Sequence, residues 1–177
     1  MGNLKIAVWG FLVSLGTEWA IKNRKADFIY NMLKKRDYPG FLYMLDNGAT
    51  TTWEHWNGER SHIHNCYNSL GVWFYQALAG IRPDESGAGY ARVDIAPQPV
   101  DGIEWVRASK DTPFGPLSVS WEKTDGVFSV DVGIPVGCTP TVTLPFEPAE
   151  LRIDGRKVSP EAQFILSAGR HTVVCRP

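Results

Sequence analysis

Between Thr17 and Arg36 the apolar residues Trp19, Ala26, Ile29, Tyr30 and Leu33 recur at helical spacing, and Lys22, Arg24, Lys25, Lys34 and Lys35 mostly fall at the remaining positions. Such a pattern predicts one amphipathic helix. Thr17 would be its N-cap, Glu18 suits the positive end of the helix dipole, and Pro39-Gly40 stops propagation. A second helix is predicted over 65–79, where Leu70, Trp73, Phe74, Ala77, Leu78 and then Ile81 follow the i, i+3, i+4, i+7 rule before Gly80 and Pro83 end it. Two large apolar helix faces cannot be hidden on each other alone, so this half reads as part of a larger helical layer.

After Ser86-Gly87-Ala88-Gly89 the period changes from helical to two. Leu117, Val119 and Trp121 alternate with Ser118, Ser120 and Glu122, Thr124-Asp125-Gly126 turns the chain, and Phe128, Val130, Val132 and Ile134 alternate with Ser129, Asp131 and Gly133. This predicts a hairpin. Val142 and Leu144, Leu151 and Ile153 before Asp154-Gly155, and Val173-Val174 add short strands at the spacing of an antiparallel sandwich. The pairs Glu104-Trp105 and Trp121-Glu122 read as core aromatics beside solvated acids, with no catalytic role. The fold expected is α+β in two segregated parts, helical first and β-sandwich second.

Composition narrows the function classes. With 177 residues, 44% of them hydrophobic and 21% charged, the chain can bury a core without disulfides or a metal. Eighteen Lys+Arg against nineteen Asp+Glu, with no run of five like charges, leave no footprint for nucleic acid. Cys66, Cys138 and Cys175 are odd in number and outside any C-x-x-C pattern, which does not indicate a secreted disulfide framework. Lys5 and the apolar run Ile6 to Leu15 before Gly16 loosely imitate a signal peptide; the alternative is a buried helix or strand. A largely apolar run of about ten residues is too short to span a bilayer, so no membrane partner is expected. No nucleophile elbow, Walker loop or dinucleotide fingerprint occurs, and no cofactor is implied.

The segment from Asn47 to Asn65 holds three of the four histidines and two of the seven tryptophans. A carboxylate between Trp53 and Trp56 can be partly desolvated and held rigidly, and aromatic faces suit the C–H faces of a sugar ring, so Glu54 is a candidate general base. A plainer reading of the segment is a β-hairpin around a type I′ turn at Asn57-Gly58, with Glu54 solvated and the tryptophans as cross-strand partners. A third is a metal site built on His62-x-His64 with Cys66, His55 or Glu54, although neither H-E-x-x-H nor paired C-x-x-C spacing is present.

Taken in order, Gly48-Ala49-Thr50-Thr51-Thr52-Trp53-Glu54-His55-Trp56, Ser61-His62-Ile63-His64, Ala79-Gly80-Ile81-Arg82-Pro83-Asp84 and Val93-Asp94-Ile95-Ala96-Pro97 resemble the C-terminal part of bacterial α-L-rhamnosidases. Trp105 to Ser109 and Thr112-Pro113-Phe114-Gly115 match as well, and the resemblance spans roughly residues 23–145. It implies that residues 1–90 are the last hairpins of a six-hairpin α/α catalytic barrel and residues 91–177 the appended C-terminal β-sandwich. It further implies Glu54 as general base, His64 as the histidine that contacts the sugar or its attacking water, and Trp53 and Trp56 as residues shaping the pocket. No metal is implied, and the partner is a rhamnose-containing carbohydrate.

An inverting glycosidase needs a second carboxyl group to protonate the leaving oxygen. In this family it lies in an upstream acidic barrel motif, and nothing in residues 1–46 resembles that motif; Glu18, Asp27, Asp37 and Asp46 read as helix or turn residues. The resemblance therefore implies a C-terminal fragment of an inverting α-L-rhamnosidase, inactive without the missing upstream barrel segment. The competing reading is a non-catalytic carbohydrate-binding or structural β-sandwich module.

Overall fold

Helical periodicity in the first part of the chain resolves into several short helices. The computed structural model describes residues 13–67 and 69–177. Packing divides the chain into two units, Met1–Phe74 and Tyr75–Pro177. Most of the apolar run from Ile6, on which the signal-peptide reading rested, lies outside the described residues; residues 13–15 are helical.

In the first unit α1 covers 13–22 and α2 Ala26–Leu33, in place of the single helix predicted from Thr17 to Arg36. The break is a Schellman closure. Arg24 takes φ 55, Lys25 N–H donates to Ala20 O at 2.8 Å, and Arg24 N–H donates to Ile21 O. Thr17 does not cap α1 but lies buried within it, its Oγ1 donating to Val13 O at 2.7 Å. Trp19, expected on the buried face, is exposed and meets Phe28 edge-on, while Ala20, Ile21, Ala26 and Ile29 are buried. The bend at Arg24 explains the difference, because the stripe drawn along one helix does not continue across it.

A third helix, α3 (Phe41–Asp46), escaped the periodicity because it is under two turns long. Its end is a second Schellman closure: Gly48 at φ +87 donates to Leu45 O and Ala49 to Met44 O, at 3.0 and 2.9 Å. The helix predicted over 65–79 is composite, with a 3-10 turn at Asn65–Tyr67, α4 at Leu70–Trp73 and a π turn at Phe74–Leu78. Leu70, Trp73, Ala77 and Leu78 are buried as their spacing predicts, but the wider π turn leaves Phe74 exposed.

The second unit contains two sheets. One has the order β1 (Ile81–Pro83), β2 (Arg92–Ile95), β6 (Thr139–Thr143), β9 (Gln163–Ile165). The other runs β3 (Trp105–Thr112), β4 (Gly115–Thr124), β5 (Val127–Ile134), β10 (Gly169–Arg176), β7 (Glu150–Ile153), β8 (Arg156–Val158). Pairing is antiparallel except for β2 and β6, which run parallel. The predicted hairpin is present as β4–β5, with Asp125 and Gly126 at φ 52 and 75, as a type I′ turn requires; Asp154 and Gly155 repeat this between β7 and β8. Leu117, Val119, Trp121, Phe128, Val130 and Val132 face the core.

Trp105 departs from the expectation of a core aromatic: it is 62% exposed. Register gives the reason. Trp105 pairs with Glu122, so its side chain shares the outer face with that acid, whereas Trp121 stands on the opposite face.

The segment leading into the sheets is fixed by backbone contacts. Gln98 N–H donates to Ala77 O, Ala96 N–H to Gly80 O, and Trp121 Nε1–H to Leu78 O at 2.7 Å. Gly80 has φ +80, and a Cβ there would lie 2.3 Å from Pro97 N, so no other residue fits. At the turn between β7 and β8, His171 Nδ1 of β10 lies 2.8 Å from Asp154 Oδ2, and Thr172 N–H donates to Asp154 Oδ1. The His171 bond first, and the Thr172 N–H second, hold the Asp154 carboxyl below its ordinary value of 3.8. A depressed carboxyl contributes stability that is present above its unfolded-state value and lost as pH falls through the folded one. Asp154→Asn is therefore expected to flatten the decline of the urea midpoint below pH 3.8 relative to the parent, measured by circular dichroism.

Candidate functional site

The closure of α3 at Gly48 delivers the chain into a long loop, 47–64, before the 3-10 turn at Asn65–Tyr67. Its two legs are joined without forming strands. Glu54 N–H donates to Ser61 O at 2.8 Å, His64 N–H to Thr52 O at 2.9 Å, and Thr52 Oγ1 to His64 O at 2.9 Å. Thr51 Oγ1 also bonds His62 O. The contacts 52 to 64 and 54 to 61 are one residue out of step, which prevents the regular ladder of the hairpin reading. The tip differs as well. Gly58 N–H closes a four-residue turn onto His55 O at 3.0 Å, with Gly58 at its last position, and Asn57 is not in the left-handed region that a type I′ turn requires.

Four predicted residues lie on this loop, and the structure separates their surroundings. Glu54 sits on the first leg with its side chain 25% exposed; Oε2 accepts a long bond from Ser61 N–H at 3.4 Å, and Arg60 Nη1 stands 3.7 Å from Oε1. The carboxylate is thus oriented from the opposite leg while part of it faces outward. His64 is on that opposite leg, half-buried, its ring tilted against Tyr67 at 5.4 Å. Trp53 is buried against Met44 and Ala49 and stacks on His62 at 5.1 Å. Trp56 is partly buried and joins Phe41 and Tyr67 in an aromatic cluster, with centroids at 5.1 and 5.3 Å.

The indoles therefore form the stiff backing of the loop, and Glu54 lies between them in sequence at its surface. Gly58 belongs to this arrangement, since a Cβ on it would come within 3.0 Å of the Trp53 ring. Neither spacing nor motif marks Arg60, Phe41 or Tyr67, and Ser61 enters only as part of the Ser61–His64 motif. Arg60, at φ 63, is brought to Glu54 only by the turn, which no local pattern announces.

Two histidines of the metal alternative are engaged elsewhere. His62 Nε2 donates to Gly58 O at 2.8 Å while its ring covers Trp53, and His55 faces Glu59 at 3.8 Å. Among the described residues no group of three or more His, Cys, Asp or Glu could hold a metal ion; the Cys66 side chain lies outside that description. Nor is any described helix long and apolar enough to cross a membrane.

Comparison with known proteins matches both parts of the chain. Residues 10–78 match the bacterial alpha-L-rhamnosidase six-hairpin glycosidase domain, and residues 80–159 the bacterial alpha-L-rhamnosidase C-terminal domain. Over 158 residues the chain is 31% identical to an alpha-L-rhamnosidase of Formosa agariphila, covering 82% of this chain and 17% of that protein. Over 122 residues it is 34% identical to one from Alteromonas sp., covering 63% and 13%. The chain thus spans about a sixth or less of the length of these relatives.

Among solved structures, the alpha-L-rhamnosidase of Dictyoglumus thermophilum is similar with a TM-score of 0.74 at 25% identity, over 84% of this chain and 18% of that one. The Streptomyces avermitilis alpha-L-rhamnosidase, solved with L-rhamnose, gives 0.72 at 30% identity, over 82% and 16%.

Proposed function

The chain belongs to the bacterial α-L-rhamnosidases, as the end of their six-hairpin domain followed by their C-terminal domain, and from this premise we propose that it serves the inverting hydrolysis of terminal α-L-rhamnosyl residues on glycans or glycosides, with Glu54 as general base. The observation that supports this reading best is the Glu54 carboxylate itself. It is three-quarters buried on a loop backed by Trp53 and Trp56 and oriented by Ser61 and Arg60, yet still reachable by a water molecule.

In an inverting displacement one carboxylate takes a proton from water while a second carboxyl group, about 6.5–9.5 Å away, protonates the leaving oxygen on the other ring face. Glu54 fills the first role. His64, on the facing leg, is within the same loop closure and contacts a sugar hydroxyl or the attacking water. Trp53 and Trp56 act through rigidity, Trp53 by holding the first leg against Met44 and Ala49 and Trp56 by bracing it on Phe41 and Tyr67.

The general acid comes from barrel elements outside the residues matched here, so this chain alone is expected not to turn over substrate. The experiment pairs two measurements on an aryl α-L-rhamnoside. The chain alone should release no detectable aglycone. A version completed with the preceding barrel hairpins of a relative should release β-L-rhamnose first, as followed by proton NMR of the anomeric signal. First release of the α-anomer would overturn inversion, and turnover by the chain alone would overturn the missing acid.

A further inference from the structure

The outer face of the six-stranded sheet has an organisation that the Glu54 site does not use. Register aligns its side chains in rows across the strands. Arg107 on β3, Ser120 on β4, Asp131 on β5 and Thr172 on β10 form one row. Ser109, Ser118, Gly133 and Arg170 form the next. On the other side come Trp105, Glu122, Ser129 and Val174. Because residues two apart share a face, all of these oppose the buried Leu117, Val119, Trp121, Val130 and Val132.

The distribution of sizes makes a trough. Serines and Gly133 form much of the floor on β4 and β5, and the long side chains Arg107 on β3 and Arg170 on β10 line it as well. A Cβ on Gly133 would come within 2.5 Å of Ser118 Oγ, so any other residue there would fill the floor. The result is a concavity of about 580 Å³ over Arg107, Ser118, Asp131, Gly133 and Arg170, within the span of about 300–1,000 Å³ typical of ligand pockets. A second, of about 260 Å³, shares Arg107, Ser120 and Asp131 with it and continues to Trp105.

We propose that this trough binds a neutral oligosaccharide, with the exposed Trp105 indole as its stacking platform and Arg107, Asp131 and Arg170 as its hydroxyl contacts. Its lining balances positive and negative groups, Arg107 and Arg170 against Asp131 and Asp154, which disfavours a polyanion. The polar walls disfavour an apolar ligand. A peptide adding as a strand would pair along the free edge at β3, whereas the floor of the trough lies on β4, β5 and β10, which are paired on both sides.

Vicinal sugar hydroxyls both donate and accept, which suits guanidinium beside carboxylate. Asp131 Oδ1 takes the Thr172 hydroxyl at 2.6 Å, which fixes the carboxylate in place. Trp105 has the Arg107 guanidinium 5.6 Å from its ring centroid, which steadies the indole whose apolar face meets a sugar ring.

The site stands apart from the Glu54 reading; only the choice of a rhamnosyl probe rests on that reading. Amide chemical shifts of the full chain are followed on titration with an α-linked rhamnose tetrasaccharide, a neutral glucan tetrasaccharide and a galacturonate tetramer, each to about 10 mM, where millimolar affinities are read directly. Shifts from either neutral sugar at residues 105–109, 118–133 and 170–172 and at the Trp105 indole, weakened at least tenfold by Trp105→Ala, are the expected result. Unchanged amides elsewhere in that variant show that it is folded.

No shift with either neutral sugar overturns the proposal, and so does preference for the galacturonate. Shifts confined to 47–65 overturn it while leaving the glycosidase reading intact. Self-association that broadens the trough amides, with no sugar effect, assigns the face to a second copy and also overturns it.

Discussion

Glu54→Gln, made in a version that carries the complementary barrel hairpins, is expected to lower kcat on an aryl α-L-rhamnoside by about 10²–10⁴-fold. Glutamine keeps the size of the side chain and an oxygen for the Ser61 N–H, so the loop closure between residues 54 and 61 is retained. What it loses, under the proposed role, is the capacity to take a proton from water as the bond to the sugar forms. KM should change far less than kcat, because the lost interaction belongs to the transition state. Arg60→Ala provides the contrast. Its side chain is 57% exposed, with Nη1 3.7 Å from Glu54 Oε1, so its removal is expected to cost much less than the Gln substitution. An unchanged kcat in Glu54→Gln would remove this residue from the reaction.

The second large effect concerns stability. Trp121→Ala should destabilise the β unit by about 3–5 kcal/mol, the usual cost of truncating a buried aromatic. Trp121 is 1% exposed, packs on Phe128 and donates Nε1–H to Leu78 O. Its loss leaves both a cavity and a buried carbonyl without its donor. Trp105→Ala, in the neighbouring strand, should cost within about 0.5 kcal/mol, as for other exposed positions. Urea unfolding followed at the β-sheet signal compares the two. Equal costs would contradict the assignment of these tryptophans to opposite faces.

That pair illustrates what local sequence can and cannot specify. Alternation in Leu117, Val119 and Trp121 and in Val130 and Val132 reports one buried sheet face, because a period of two has only one interpretation once half the positions are apolar. The Trp105 strand lacks such a clean alternation, since Val106 and Ala108 are the short apolar residues and Trp105 is the large one. Only pairing with Glu122 decides that the indole is outside. In the helical half, spacing identified Ala26, Ile29, Leu70 and Trp73 as buried, yet joined α1 to α2 across Arg24. A left-handed arginine has no sequence signal comparable to that of glycine, so the Schellman closure there was hidden, while the one at Gly48 had its glycine in view.

The amino-acid order alone determined the switch from helical to two-residue periodicity, the Asp-Gly turns and the ordered motifs around Glu54 that place the chain among the α-L-rhamnosidases, because these depend on residues close together in the chain. Tertiary structure decided the rest: the staggered contacts of the 47–64 loop, the Arg60 and Ser61 contacts to Glu54, the aromatic bracing of Trp56 by Phe41 and Tyr67, and the rows of polar side chains across four strands. Each depends on strand register or on a turn that joins positions distant in sequence, and a shift of one residue in register would turn the trough's side chains to the other face.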